Sequence, residues 1–405
     1  MQTKKVSIVI PVYNAEKTLT LCLDSLMNLD YPKQDLEIIV VDNGSTDNTK
    51  ELIVSYPVNY VYEPKVKQYS AALNRGIQIS QGEFIAFTHG DCVVERFWIS
   101  NLLSGFKDEQ IAGCGGKILP YRLDTPAQRY IASRTLDSQL QNICSKERIL
   151  PYILNANAIY RRSVLEQIGF FDEYFSEDME LDLCWRIFLA GYIFNYTKAA
   201  VVYHRYRESI SLLWKQLFNI AVNDPRFFKK YDGIISPFYS MFYREPLSLL
   251  NRICVSIKGF LKFLIRPQSN NSYPSLYYLL DIISAFAFFI GGLYGVYLNQ
   301  RLRKSPLPLR KVKKIVYRDF DDEIVVINTF TKSYFYLNDV SAQIWRKLNS
   351  GNRPVEVMDY LIEEYGISKE QASQDVDEYL YELAQAGLLN EEDSLVENKS
   401  AIERQ

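Results

Sequence analysis

The 405-residue chain has only two histidines, and each closes an apolar run. His89 follows EFIAF (83–87) in Thr88-His89-Gly90-Asp91, and His204 ends VVYH (201–204). A strand that stops at polar residues delivers them to the loop beyond its end, where α/β sheets bind ligands. Asp91 can there hold a divalent metal on a diphosphate, because Mg²⁺ and Mn²⁺ favour carboxylate oxygens. A capped turn explains either histidine alone; the two coincidences together mark a candidate site.

A second constellation is EDMELDLCWR (177–186). Asp178 and Asp182 are four apart, and Asp182 and Arg186 repeat that spacing, so on a helix Asp182 pairs with Arg186 as a scaffold. Glu180 then points elsewhere and is free to act as a base. A third group is PVYN (11–14) with VVDNGSTDNT (40–49). Asp42 leaves a strand and meets Asn43-Gly44-Ser45, a turn-forming cluster whose backbone can approach a ligand closely. Asp47 begins a helix, and Arg75, on a further helix, can meet a diphosphate as a fixed cationic fork. Turn chemistry, helix capping and a surface charge account equally for each of these taken singly.

The elements that position these residues follow from the pattern. VSIVI (6–10), LEIIVV (36–41), VNYVY (58–62) and EFIAF (83–87) are short β-rich runs with helix-like segments at 15–28, 46–54 and 69–79 between them. That alternation predicts βαβ units and a parallel sheet covered on both faces. Residues 111–232 are more mixed and end in an aromatic-rich helical stretch. Beyond them, 248–266 predicts a basic amphipathic helix of the kind that lies on a membrane surface. Residues 282–298 carry no charge over 17 positions, the lower limit for a spanning helix. The segment 301–314 holds seven basic and no acidic residues and reads as a linker that stays cytoplasmic. A single span cannot keep both folded regions inside, so 276–298 is expected to lie on the membrane surface or pack against the protein itself. The expected domains are 1–232, the helical and basic segment 233–314, a compact module 315–392 and a disordered tail 393–405.

Composition narrows the partners. A net charge of −2 argues against a general nucleic-acid binder. Six scattered cysteines without paired spacing read as reduced core thiols in a cytosolic setting and point away from zinc.

Taken in order, VSIVIPVYN, VVDNGSTDNT, NRGIQISQGEFIAFTHGDC, NANAIYRRSVLEQIGFFDE and EDMELDLCWRIFLAGY resemble glycosyltransferase family 2 over roughly residues 5–230. The resemblance implies a GT-A fold and an inverting transfer from a nucleoside-diphosphate sugar, usually a UDP-sugar. It places Pro11, Tyr13, Asn14, Asp42 and Asn43 on the donor, with Asp42 toward the nucleobase. Arg75 falls in the diphosphate-side block, and Asn157 in the block lining the sugar and acceptor. Asp91 matches the last acid of the family's metal motif and His204 a histidine near the metal, Mn²⁺ or Mg²⁺. His89, counted with the donor-binding residues, stands where most members carry the motif's first aspartate, an acid that commonly touches the ribose. Its imidazole can hydrogen-bond the ribose or ligate a transition metal, and the lost negative charge favours Mn²⁺ over Mg²⁺. Counting back from DLCWR puts the catalytic acid on Glu180, the preferred register, whereas counting from the literal Glu-Asp pair puts it on Asp178.

Residues 315–392 read as two or three short strands followed by three helices, a winged-helix-like layout. With 16 acidic against 8 basic residues over 313–392, this module is unsuited to nucleic acid. YFYLN, the SAQIW helix and DVDEYLYELAQAGLL resemble the PqqD-like peptide-recognition domain of ribosomal-peptide maturation systems. The resemblance implies that a leader peptide adds as a strand beside Tyr334, Phe335 and Tyr336 and packs on Val376, Tyr379 and Leu383 of the last helix. Trp345 and Leu380 are assigned to the core. The expected function is transfer of a sugar to a ribosomally made peptide, at the inner face of the membrane or in the cytoplasm. The alternatives are a membrane-associated transferase for an envelope polysaccharide or lipid-linked glycan, and a peptide-binding adaptor built on a decayed enzyme.

Overall fold

The computed structural model describes residues 4–64, 68–135, 138–144, 150–175, 177, 179–231, 277, 279–287, 290–291, 294, 315–320, 323–329, 333–385 and 388. Asp178, the amphipathic stretch 248–266, the linker 301–314 and the tail lie outside them. The chain divides into two compact units, 1–312 and 313–405.

In the first unit, β1 (Val6–Val12) is buried along its whole length, as a strand covered on both faces must be. It pairs in parallel with β2 (Leu36–Asp42) and β4 (Phe84–Phe87), and β2 pairs in parallel with β3 (Asn59–Tyr62). The helices α1 (Leu19–Met27), α2 (Thr49–Val54) and α3 (Tyr69–Ile79) alternate with these strands, as the apolar periodicity predicts. The sheet then becomes mixed. β7 (Ala158–Arg161) runs antiparallel to β4 and to β6 (Ile111–Pro120), while β8 (Ile193–His204) lies parallel to β6. The short β5 (Cys92–Val94) closes the edge against β8, giving the order β3-β2-β1-β4-β7-β6-β8-β5.

Among the remaining helices, α4 (Trp98–Leu103), α5 (Pro126–Thr135), α6 (Ser138–Cys144), α7 (Arg162–Ile168), α8 (Met179–Leu189) and α9 (Ile210–Lys230), the pair α8 and α9 matters most for the site. Helical residues between 277 and 294 pack on the same unit. Tyr277 and Leu280 cluster with Tyr130 and Leu213, and Asp281 accepts from Arg134 at 2.5 and 2.7 Å and from the Tyr130 hydroxyl at 2.7 Å. Among the described residues, no helix is long and apolar enough to cross a membrane.

The second unit is a three-stranded antiparallel sheet, β9 (Ile315–Phe320), β10 (Glu323–Asn328) and β11 (Ser333–Asn338), in the order β11-β10-β9. It is followed by α10 (Asp339–Asn349), α11 (Pro354–Tyr365) and α12 (Lys369–Gln385). Among the described residues β11 is therefore an edge strand. Along it Leu337 is buried, Tyr336 is 57% exposed and Phe335 is partly buried, while the Tyr334 side chain lies outside the described residues. The assignment of Val376, Tyr379 and Leu383 to an open groove is corrected by the packing. All three are buried with Ile324, Val326, Val357 and Leu361, so this stripe of α12 closes the module's own core. Trp345 joins that core, and Leu380 packs partly buried against it. Val376→Asp should therefore unfold the module, because an unpaired carboxylate has no partner there. Loss of a cooperative transition for the second unit in thermal or urea melts checks this; a native-like melt with weakened peptide binding would restore the groove reading.

Candidate active site

The loop after β4 carries the site because of how the sheet closes. Cys92 N–H donates to the His89 carbonyl at 3.0 Å, turning the chain at Gly90 and leading directly into β5. A side chain at Gly90 would meet the Val12 methyl at 2.9 Å, so the loop lies against the end of β1. In the β5–β8 pairing Cys92 stands opposite His204, and Arg205 N–H donates to the Asp91 carbonyl at 3.1 Å. This register brings together residues more than a hundred positions apart. His204 Nε2 lies 3.3 Å from Asp91 Oδ1, and the His89 and His204 rings meet edge-on with centroids 5.7 Å apart.

Burial opposes ionisation of Asp91. The facing, hydrogen-bonded His204 imidazole, with His89 and Arg207 nearby, nonetheless holds its carboxyl well below the usual carboxylate range. Burial pushes His89 down to about 4, leaving its imidazole neutral. One ligand atom each from His89, Asp91, Cys92 and His204 lies within 4.8 Å of the others. The donor set fits a divalent cation. His89 Nε2 is buried with no hydrogen-bond partner among the described residues, and Asp91 and His204 face each other at 3.3 Å. Burial pushes the Cys92 thiol far up, so it stays protonated.

These residues line a cleft of about 860 Å³, large enough for a nucleotide sugar. Its far wall is the β1 and β2 ends. Asn14 adopts a left-handed conformation (φ 49°), its amide oxygen accepts from Thr46 N–H at 2.8 Å, and its own N–H donates to Ser45 Oγ at 2.9 Å. Asp42 is buried and accepts from Ser45 N–H at 2.8 Å and from the Tyr60 hydroxyl at 3.2 Å, so it builds the turn. Pro11, Tyr13, Asn14 and Asn43 line the cleft beside it.

On α8, successive residues turn by about 100°, so positions 180 and 182 face nearly opposite ways. Glu180 lines the cleft and accepts from Asn155 N–H at 2.9 Å; burial pushes its carboxyl up to about 7. Asp182 faces inward, fully buried, with Arg186 Nε at 2.8 Å, Lys230 Nζ at 2.5 Å and the Tyr231 hydroxyl at 2.8 Å. Lys230 also reaches Asp172 at 2.9 Å, and Arg186 donates to the carbonyls of Ile168, Gly169 and Phe170. Asp182 is thus the scaffold residue that the helical spacing predicts and is sealed away from the cleft.

Two other expected donor contacts stand elsewhere. Arg75 is exposed on α3 and does not line the cleft. Asn157 is fully buried; its amide donates to the Lys117 and Ala200 carbonyls, each at 2.9 Å, and accepts from the Trp98 indole at 2.8 Å. Its polar atoms join β6, β8 and α4, which corrects its placement on the donor. The cleft also contains residues that sequence reasoning passed over. Arg207 is an exposed cation at its edge, and the buried Tyr69 hydroxyl and Trp185 indole N–H in its wall have no hydrogen-bond partner among the described residues. The alternation His204-Arg205-Tyr206-Arg207 just past the apolar run was the available signal for Arg207.

The pattern of the family described as Glycosyl transferase family 2 matches residues 7–169, and that of Coenzyme PQQ synthesis protein D (PqqD) matches 323–389. The chain is 30% identical over 218 residues to Glycosyltransferase AglE of Haloferax volcanii, covering 52% of this chain and 70% of that protein. It is 29% identical over 216 residues to the pre-mycofactocin glycosyltransferase of Mycobacterium tuberculosis, covering 51% of this chain and 44% of that protein. With a glycosyltransferase-like protein of Bacillus subtilis it shares 30% identity and spans 53% of that protein, so it covers about half the length of these last two relatives. Among solved structures it is similar to a mannosyltransferase of Pyrobaculum calidifontis in complex with GDP-Man and Mn²⁺, at 19% identity and a TM-score of 0.48, over 74% of this chain and 86% of that one. The architecture is a GT-A-like mixed α/β fold with a small C-terminal domain. The family match takes in the sheet from β1 to β7, and the chain covers more than two thirds of a 30%-identical glycosyltransferase; it is a glycosyltransferase and belongs to glycosyl transferase family 2.

Proposed function

We propose that the chain moves a sugar from a UDP-sugar, with inversion at the anomeric carbon, to a hydroxyl or thiol of a ribosomally made peptide recruited by the second unit. The observation that carries the catalytic part is Glu180, a cleft carboxyl tuned to about 7 and oriented by the Asn155 N–H. A base near working pH is suited to deprotonating an acceptor. Glu180 takes the acceptor's proton as the acceptor oxygen or sulfur bonds to the anomeric carbon. The bond to the diphosphate breaks, and the nucleoside diphosphate leaves with the electron pair. The base and ribose rest along Pro11, Tyr13, Asn14 and Asn43 over the Asp42 turn. The cationic role at the diphosphate falls to Arg207, which lines the cleft, in place of Arg75. A divalent cation on Asp91 and His204, with His89, would supply further neutralisation of the leaving group. Tyr69 and Trp185 offer their unpartnered donors to sugar hydroxyls.

The peptide acceptor is supported by the match of the second unit to the PqqD family, by the exposed edge of β11, and by similarity to a glycosyltransferase named for pre-mycofactocin. Edge strands accept a further strand through their backbone groups. A nucleotide-sugar donor places the reaction in the cytoplasm. The test supplies the full chain with UDP- or GDP-sugars, a divalent metal and the candidate precursor peptide. A glycosyl mass increment on the peptide from the UDP donor is expected. Donor turnover with the sugar found only on a lipid or polysaccharide would overturn the peptide assignment.

A further inference from the structure

We infer that His89 is itself a metal ligand, and that His89, Asp91 and His204 form a nitrogen-rich centre that takes a first-row transition ion in preference to Mg²⁺, before any nucleotide is bound. This rests on the transferase reading of the same cleft and extends it to the class of metal.

The geometry argues for it in three ways. First, the ligand atoms are gathered: those of His89, Asp91 and His204 lie within 4.8 Å of one another, and the Asp91–His204 pair is at 3.3 Å. Neighbouring ligands about 2.1 Å from a small cation stand roughly 3.0–3.4 Å apart, so this pair already has the spacing of one edge of a coordination shell. Second, His89 Nε2 is buried and has no hydrogen-bond partner among the described residues, while the facing Asp91 and His204 are engaged with each other. A buried imidazole nitrogen left without a partner is costly, and a metal ion would satisfy it. Third, the ring is held in place. Tyr69 meets it edge-on at 5.7 Å on one side and His204 at 5.7 Å on another, so the nitrogen is presented by a packed ring rather than a free one.

The chemistry of the donors then selects the ion. Mg²⁺ requires oxygen ligands and keeps most of its water, and here one carboxylate and two imidazoles are on offer. Imidazole suits the transition ions, and affinity at a mixed nitrogen–oxygen site rises from Mn²⁺ through Co²⁺. Cys92 is the fourth nearby group, but its Sγ faces Asp91 Oδ1 at 3.9 Å as a protonated donor and is not assigned to the shell.

The experiment uses the full chain, stripped with a chelator and titrated with Co²⁺ without nucleotide. Visible absorption and calorimetry are the readouts, followed by competition with Mg²⁺. A visible Co²⁺ spectrum of nitrogen–oxygen ligation is expected, unchanged in Cys92→Ser. His89→Ala should weaken Co²⁺ binding at least about tenfold, because loss of a ligand or its immediate support has effects of this order. His89→Asp, which puts an oxygen ligand and a negative charge in place of the imidazole, should instead narrow the preference for Co²⁺ over Mg²⁺. Co²⁺ binding unaltered in His89→Ala, displacement by equal concentrations of Mg²⁺, or a spectrum lost in Cys92→Ser would each overturn the assignment. Donor turnover in the same preparation is scored separately. Turnover with Mg²⁺ but no Co²⁺ site defeats this inference alone, whereas a Co²⁺ site on these three residues without turnover upholds it and defeats the transferase reading.

Discussion

Replacing Glu180 with glutamine is expected to lower turnover about 10³-fold while donor affinity changes little, the pattern of a lost general base. The carboxyl lines the cleft, its orientation is set by the Asn155 N–H at 2.9 Å, and burial has raised it to about 7. The sign of the pH dependence follows. Below that value the group is protonated and cannot accept a proton; above it the group is ionised and active. Wild-type kcat/KM should therefore climb with pH and level off above about 7, and the glutamine variant should lack that limb. A variant retaining near-normal turnover with the same pH profile would move the base elsewhere, with Asp178, outside the described residues, as the next candidate.

Asp182→Ala should produce the largest loss of stability, on the order of 3–5 kcal/mol, as expected when one member of a buried ionic network is removed. Its carboxylate sits between Arg186 at 2.8 Å and Lys230 at 2.5 Å and accepts from the Tyr231 hydroxyl at 2.8 Å. Alanine would leave a buried guanidinium and a buried ammonium short of countercharge, with Asp172 alone remaining to Lys230. Because this network fastens α8 to α9 and to the carbonyls of residues 168–170, its loss also loosens the helix that carries Glu180. The urea midpoint of the first unit should fall well below wild type, while the fraction still folded keeps its KM. Unchanged stability with abolished turnover would give Asp182 a chemical role instead.

The sequence was most informative where one strand or one helix turn determined the outcome. The runs ending at Asp42 and Asp91, and the helical spacing that sets Glu180 against Asp182, are local signals; Asp91 and Glu180 line the cleft, Asp42 builds the turn beside it, and Asp182 is the buried scaffold. Long-range register was not legible. The pairing of Cys92 with His204 assembles the metal-ligand cluster across an edge of the sheet, and no local pattern announces it. Asn157 shows a related limit: a polar residue in a promising block can serve either a ligand or the sheet, and only its three internal partners decide. The stripe at Val376, Tyr379 and Leu383 fails for the same reason. Helical periodicity reveals an apolar face but not what covers it, and here β10 and α11 do. Arg75 and Arg207 differ only in where the fold puts them.

The most direct test of the account compares the full chain with residues 1–312, the first compact unit, on one donor and the precursor peptide. The unit retains the cleft and the helical residues that pack against it, so donor hydrolysis serves as the internal check that it is folded. Hydrolysis is expected to be nearly unchanged, while kcat/KM for the peptide falls about 10²-fold through lost effective concentration of a tethered acceptor. Equal peptide glycosylation by the two proteins would contradict the account, leaving a family 2 transferase whose second unit does not deliver its acceptor.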